Sequence, residues 1–399
     1  MAGIDRRNAL KLLGGLGAAG FASACGAVGG AEPQQQIHET HVRIGLLVPG
    51  TGGYKPLGDD MLNGFNRYLR VAGNRLGGHP VVVEQRDEGD SPDSAMSALE
   101  DLLSADVSAV VGVASSAAML DVSRRIEEVH IPLLGANASP FELQGTPHVW
   151  RTSFVNDEPG RVLGTYLAGI VQGTVASVAQ DDPMGVDAVQ GMREQFTEAR
   201  ASSDLLAETI WTPMVTQPAR DHFTIPLEQL RQLDAEAVFC CYAGNAAVEF
   251  IRQYVAAGLD PTRLVAPAYL TEGAALTSAG TDALGIRTSA NYAPELRTSV
   301  NRAFASDYRR EFGDAPTIYA VAAYDAAAAL DKAIALSDGD LDPREINLNL
   351  SRVGLIDSPR GRWQFNQGRT PTQKWYLREV ASDGPVLSNL VIRELGTLG

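Results

Sequence analysis

From Val42 onward the chain alternates short apolar, β-branched runs with longer amphipathic segments, and the runs end at Gly, Ser, Asn or Asp. This alternation constrains the fold more than any other feature. A strand, a helix and a second parallel strand form a unit whose crossover packs back on the sheet face, so repeated units build parallel sheets covered by helices. The spacing predicts strands over 42–48, 81–84, 107–113, 131–136 and 149–153, with helices over 57–72, 91–103 and after Ser116 through Ile126. Five strands complete one sheet. The pattern then restarts with strands at 174–178, 209–210, 237–241 and 264–266, interleaved with helices over 187–198, 224–233 and 246–257. An alanine-rich helix over 318–336 and two strands, 361–365 and 374–380, finish the chain as antiparallel cover.

Residues 1–25 have the three-part layout of an export signal: a charged start with Arg6-Arg7, an apolar stretch rich in Leu, Gly and Ala, then small residues before Cys25. The paired arginines resemble the twin-arginine type, and Phe21-Ala22-Ser23-Ala24-Cys25 resembles a lipoprotein processing site. Two readings of Cys25 stay open: lipidation, which would anchor the chain to a membrane, or ordinary cleavage near Ala24. Residues 26–40 are small and polar and suit a tether. Without residues 1–25 the chain has 30 basic and 47 acidic residues, a net charge of −17. Nucleic acid is excluded as a partner, since its binding requires clustered Lys and Arg. About 360 remaining residues exceed one ordinary core and call for two lobes. Cys240 and Cys241 are neighbours in an apolar run, where they point to opposite faces of a strand and read as two inert thiols.

In open parallel sheets a ligand sits beyond the carboxyl ends of the strands, where loops present backbone N–H groups and helix N-termini. Two such sheets facing one another make a cleft that closes on a ligand.

The chain resembles the type I periplasmic binding proteins of the leucine/isoleucine/valine-binding class, which serve ATP-driven importers. Six stretches carry the likeness: Ile44 to Pro49 with Thr51-Gly52 and Leu57-Gly58; Ala109 to Ser116; Ile131 to Pro140; Val149 to Thr152; Ala320 to Ala326; and Pro359-Arg360-Gly361 leading to Phe365. The resemblance implies an α/β fold of two Rossmann-like lobes, each a parallel sheet flanked by helices, joined by a three-strand hinge. It allots 41–154 with 274–350 to lobe 1 and 155–273 with 351–399 to lobe 2. It further implies an exported, monomeric protein that binds a small molecule, works with a membrane permease, performs no chemistry and carries no cofactor.

The resemblance also implies that Ser115 and Ser116 receive a ligand carboxylate through hydroxyl and N–H groups, neutral donors strengthened by the helix dipole. Alternatively, Ser115 only caps its helix. Ala136, Asn137 and Ala138 stand in the second carboxylate-binding segment, but Ala138 replaces the usual threonine and keeps at most a backbone contact. The acidic partner of a ligand ammonium is missing near Ala246; either Glu249 or Glu272 replaces it, or the ligand carries no amine. Tyr54, Tyr242, Tyr269 and Tyr292 fall at strand ends or loops, where an apolar ring with a donor serves a ligand or fills a core. Asp182, in Asp181-Asp182 after a strand, meets a ligand donor or lies in a solvated loop. Arg151 reads as a structural link between lobes.

An enzyme reading fails on motifs. Gly50-Thr51-Gly52-Gly53 lacks the third glycine of a dinucleotide fingerprint because Lys55 occupies its place, and no Gly-Lys-Ser/Thr phosphate loop occurs. His38, His41, His79, His130, His148 and His222 show no metal-ligand spacing. A ligand sensor with the same fold, signalling to a receptor instead of a permease, is the remaining alternative.

Overall fold

The first apolar run folds as β1 (Val42–Val48), the centre of a six-stranded sheet. The computed structural model describes residues 40–399; the export signal, Cys25 and most of the tether expected at 26–40 lie outside the described residues. After β1 come α1 (Lys55–Val71), β2 (Arg75–Leu76), β3 (His79–Asp87), α2 (Pro92–Ser104), β4 (Ala109–Gly112), α3 (Ser116–Val129), β5 (Leu133–Gly135) and β6 (Val149–Arg151). The strand order is β2-β3-β1-β4-β5-β6, parallel throughout except for the short β2. β3 runs three residues beyond the predicted strand, through Gln85-Arg86-Asp87. It has only the two-residue β2 on its outer side and is half-buried, so it accepts charged residues that a central strand would reject.

The second half supplies α4 (Glu158–Ile170), β7 (Val175–Gln180), α5 (Pro183–Arg200), β8 (Leu206–Thr212), α6 (Thr224–Leu233), β9 (Ala237–Cys241), α7 (Gly244–Ala256), β10 (Leu264–Pro267), α8 (Ala274–Ala279) and β11 (Arg287–Ala290). Then follow α9 (Ser299–Phe312), α10 (Ile318–Ala335), α11 (Pro343–Leu350), β12 (Gln373–Asp383) and β13 (Val386–Leu398). The second sheet has the order β13-β12-β11-β10-β9-β7-β8, with β12 and β13 antiparallel. Among the described residues no helix is long and apolar enough to cross a membrane.

Two features differ from expectation. The range 274–350, allotted from sequence to the first lobe, contains β11, which pairs with β10 and β12 in the second sheet. Within that range α10 packs against α1, β2 and β4 of the first sheet. The strand expected at 361–365 is reduced to two isolated bridges, Ile356 with Trp363 and Phe365 with Pro371. This segment crosses between sheets and has no long partner strand.

Close packing follows from small residues. A Cβ on Gly64 would run into the carbonyl oxygen of Ala320, so α1 lies directly on the alanine-rich face of α10. Gly160 and Gly164 meet the carbonyls of Ala188 and Met192 in the same way, which brings α4 against α5. The cores separate by strand face: Cys240 joins the cluster with Phe223, Phe250 and Tyr254, and Cys241 joins the large cluster that spans both sheets. Both thiols are free and buried, and burial pushes both up.

Three segments cross between the sheets and meet at one carbonyl. Ser153 O accepts hydrogen bonds from Asn291 Nδ2 at 3.3 Å, Arg360 Nη1 at 3.1 Å and Gln373 Nε2 at 2.9 Å. Arg360 also pairs with Asp325 at 2.9 Å. Burial raises Asp325 to about 6 and lowers Arg360, and the attraction between the two opposes both shifts.

Candidate functional site

The turn after β4 is the most constrained backbone of the first sheet edge. Gly112 has φ +134 and Val113 φ +64. A β-branched residue in the left-handed region costs on the order of 1–3 kcal/mol and persists only where its surroundings enforce it. Here Val113 N donates to Leu47 O at 2.8 Å, and the turn sets two successive N–H groups toward one side chain. Ala114 N donates to Glu88 Oε2 at 2.8 Å and Ser115 N to Glu88 Oε1 at 2.9 Å. Glu88 directly follows β3 and is 1 % exposed. Burial pushes its carboxyl up to about 7, against the pull of the two amides and with a further push from Asp87 and Asp90.

The serines and the following loop serve this turn. Ser115 caps α3, its hydroxyl accepting from Ala118 N at 3.4 Å, and Ser116 Oγ accepts from Asn156 Nδ2 at 3.1 Å. Ala136 N donates to Gly112 O at 2.9 Å, Ala138 N to Val113 O at 3.0 Å, and Asn137 Nδ2 to Ala114 O at 2.8 Å. These three residues brace the turn, and the amides of Ala136 and Ala138 are consumed in doing so.

The carboxyl ends of the two sheets face each other across this point. A Cβ on Gly53 would strike the carbonyl oxygen of Thr216, and one on Gly244 would strike the ring of Tyr54. Asp90 accepts from Gly53 N at 3.3 Å and from Gln217 Nε2 at 3.5 Å, and Phe141 N donates to Asp187 Oδ2 at 2.9 Å. Tyr54 is buried, and burial followed by Asp182, Glu88 and Cys241 raises its hydroxyl. Asp182 caps α5 by accepting from Gly185 N at 2.7 Å; burial, then Asp187 and Asp181, raises it to about 6. Tyr269 packs its ring 5.8 Å from Phe154, and burial, Cys241 and Asp182 raise its hydroxyl. Tyr319, at the start of α10, is 1 % exposed, and its hydroxyl has no hydrogen-bond partner. Its strongest charged or ionisable neighbours are Glu272, Tyr269, Asp60 and Tyr54.

A family model described as periplasmic binding protein matches residues 41–385. The chain belongs to the periplasmic binding protein family. It is 27 % identical over 349 residues to a Leu/Ile/Val-binding protein homologue of Brucella melitensis, covering 85 % of this chain and 87 % of that one. A solute-binding protein of an ABC transporter from R. palustris, solved in complex with benzoate, shares 26 % identity and a TM-score of 0.81 over 90 % of this chain and 97 % of that one. The branched-chain amino acid binding protein LivJ of Streptococcus pneumoniae, solved with isoleucine, shares the fold at a TM-score of 0.75 and 20 % identity over 88 % of this chain and 99 % of that one. This periplasmic binding protein is therefore a solute-binding protein of the ABC transporter type, extracytoplasmic by family, and not an enzyme.

The structure brings together Tyr54, Ser115, Ser116, Asp182 and Tyr269 of the expected site, with Ala136, Asn137 and Ala138 behind the turn. Four other candidates are engaged by partners of their own chain. Tyr242 turns into the second core, stacked on Phe250 at 4.5 Å with its hydroxyl 3.2 Å from Thr212 Oγ1. The reason is the strand period: Tyr242 continues the Cys240 face, away from Cys241. Glu272 is spent on its own chain, pairing with Arg378 Nη2 at 2.6 Å and accepting from Ile318 N at 2.9 Å, and Glu249 accepts from Gln253 Nε2 at 2.9 Å. Tyr292 donates to Asn301 Oδ1 at 2.8 Å within a buried contact. Arg151 ties β6 to a crossing segment through Gly368 O at 2.8 Å. Glu88 and Tyr319 were not foreseen. The rule that ligands gather beyond strand ends points to Glu88 once β3 is carried to Asp87, whereas nothing in the local sequence marks Tyr319.

Proposed function

We propose that the protein captures a small polar organic solute between the carboxyl ends of its two sheets, closes its lobes over it, and passes it unaltered to the permease of an ATP-driven importer. The observation that carries this reading is the convergence of buried polar side chains from both sheets: Glu88 and Tyr54 on one side, Asp182 and Tyr269 on the other, with the unpartnered hydroxyl of Tyr319 beside them. A hydroxyl such as that of Tyr319 is expensive to bury unless something pairs with it. The three crossings that meet at Ser153 O suit an opening and closing motion, because each adds a restraint on twisting. We allot β11 to the second lobe and α9 to α11 to the first. We further assign Cys25 as a lipid anchor, with 26–40 as the tether.

The benzoate of the R. palustris relative and the isoleucine of the Streptococcus pneumoniae neighbour support a ligand of amino-acid or small aromatic size. A thermal-shift screen of the purified protein against amino acids, amides, amines, and aromatic and hydroxy acids tests the reading. A ligand that binds the native state raises the melting temperature by mass action. The account expects one chemical class to do so; a screen in which no class shifts the transition contradicts it.

A further inference from the structure

The N–H pair of Ala114 and Ser115 is the anion-binding feature of this site, and an internal carboxylate already fills it. Both Glu88 oxygens are engaged, one per amide, in the bidentate manner that a ligand carboxylate would need. The charges that act most strongly on Glu88 are Asp87 and Asp90, both negative, and those on Asp182 are Asp187 and Asp181, also negative. No arginine stands among the charges that act most strongly on either carboxyl, and Arg86, two residues before Glu88, lies 3.7 Å from Glu84. From the elements packed around this point, β1–α1 contributes Tyr54, the loop after β3 contributes Asp87 and Asp90, and the second sheet contributes Asp182, Cys241 and Tyr269. The field there is negative.

We propose that Glu88 sets the specificity of this site: with its carboxylate on the Ala114 and Ser115 amides, the site takes a small organic cation, an ammonium or amidinium, and turns away free carboxylates. The inference rests on the solute-binding reading above and narrows its substrate class. A cation placed between Glu88 and Asp182 favours the ionised form of both buried carboxyls and pairs with it, and the rings of Tyr54 and Tyr269 offer it their negative faces. Tyr319, buried and unpartnered, adds a neutral hydroxyl that either accepts from an N–H of the ligand or donates to its polar body. A carboxylate in the same place must displace Glu88 from its amides or sit beside it as a like charge.

The experiment measures binding to the purified protein by thermal shift and calorimetry with shape-matched pairs of opposite charge: benzylamine against benzoate, isoamylamine against isovalerate, and benzamidine. The wild type is expected to respond to the amines and the amidine and not to the carboxylates. In Glu88→Gln the affinity for the cations is expected to fall by about tenfold or more, the loss of a charged hydrogen-bond acceptor. Glu88→Ala, which bares both amides, is expected to gain carboxylate binding. If Glu88→Ala does not fold, the wild type and Glu88→Gln decide the question alone. A carboxylate that binds the wild type as tightly as its amine counterpart overturns this inference and leaves the solute-binding reading intact. Silence of every probe together with silence of the wider screen overturns both.

Discussion

Tyr54 and Tyr242 each follow the end of a strand, and their neighbours in sequence give them the same promise. Their environments separate them. Tyr54 stands against Gly244 with Asp182 and Glu88 around it, whereas Tyr242 stacks on Phe250 inside the second core. Tyr242→Phe should therefore cost about 1 kcal/mol, the worth of one hydrogen bond to Thr212, and leave solute affinity unchanged. Tyr54→Ala should weaken affinity severalfold with the fold intact. Calorimetric titration of both variants with the solute found by screening checks the pair; a Tyr242→Phe protein with impaired affinity would contradict the assignment. The site was legible in sequence where it rests on strand ends and helix starts, as at Ser115, Ser116 and Asp182. It was illegible where a side chain arrives from another part of the chain. Tyr319 enters from α10, far along the chain from its neighbours Asp60 and Tyr54, and Glu272 is committed to Arg378, a partner 106 residues away.

At the scale of elements, the alternation of apolar runs and amphipathic segments foretold β1, β7, β9 and β10 closely, because buried parallel strands are continuous apolar runs. It missed β13, whose residues are mostly half-exposed at a sheet edge, and α4, whose glycines hide a helix made for close contact. Those glycines invite a test. Gly160→Val would push a branched side chain into the backbone of α5 near Ala188, and overpacking of this kind costs typically about 1–3 kcal/mol. The crossing segments carry a larger penalty. Arg360→Leu removes the partner of buried Asp325 and two hydrogen bonds to the Ser153 and Thr152 carbonyls. Breaking a buried pair from one side costs about 3–5 kcal/mol, so urea midpoints should order wild type above Gly160→Val above Arg360→Leu. Equal midpoints would contradict the packing and pairing assigned to these elements.

For the whole molecule, buried acids set the response to pH. Burial raises Glu88 to about 7, Asp60 to about 7 and Glu158 to about 8. The unfolded chain releases these protons near pH 4 to 4.5, while the native state holds them until pH 7 to 8. Between those limits the unfolded state binds fewer protons, so stability falls as pH rises. Asp87, which hydrogen bonds from Thr51, Gly50 and Gly89 hold below its ordinary value despite some burial, acts oppositely and only at lower pH. The melting temperature should therefore be higher near pH 5.5 than at pH 8, by at least about 2 °C, and the difference should shrink in Glu88→Gln. A melting temperature that climbs over that range would contradict the burial of these carboxyls.

The central claim is that a solute is held between two sheets whose carboxyl ends meet. Small-angle X-ray scattering with and without the solute that gives the largest thermal shift tests it most directly. The account predicts that the radius of gyration falls on binding and that the bound profile matches the arrangement in which Gly53 meets Thr216 and Tyr54 meets Gly244. A solute that binds tightly and leaves the scattering profile unchanged would contradict it.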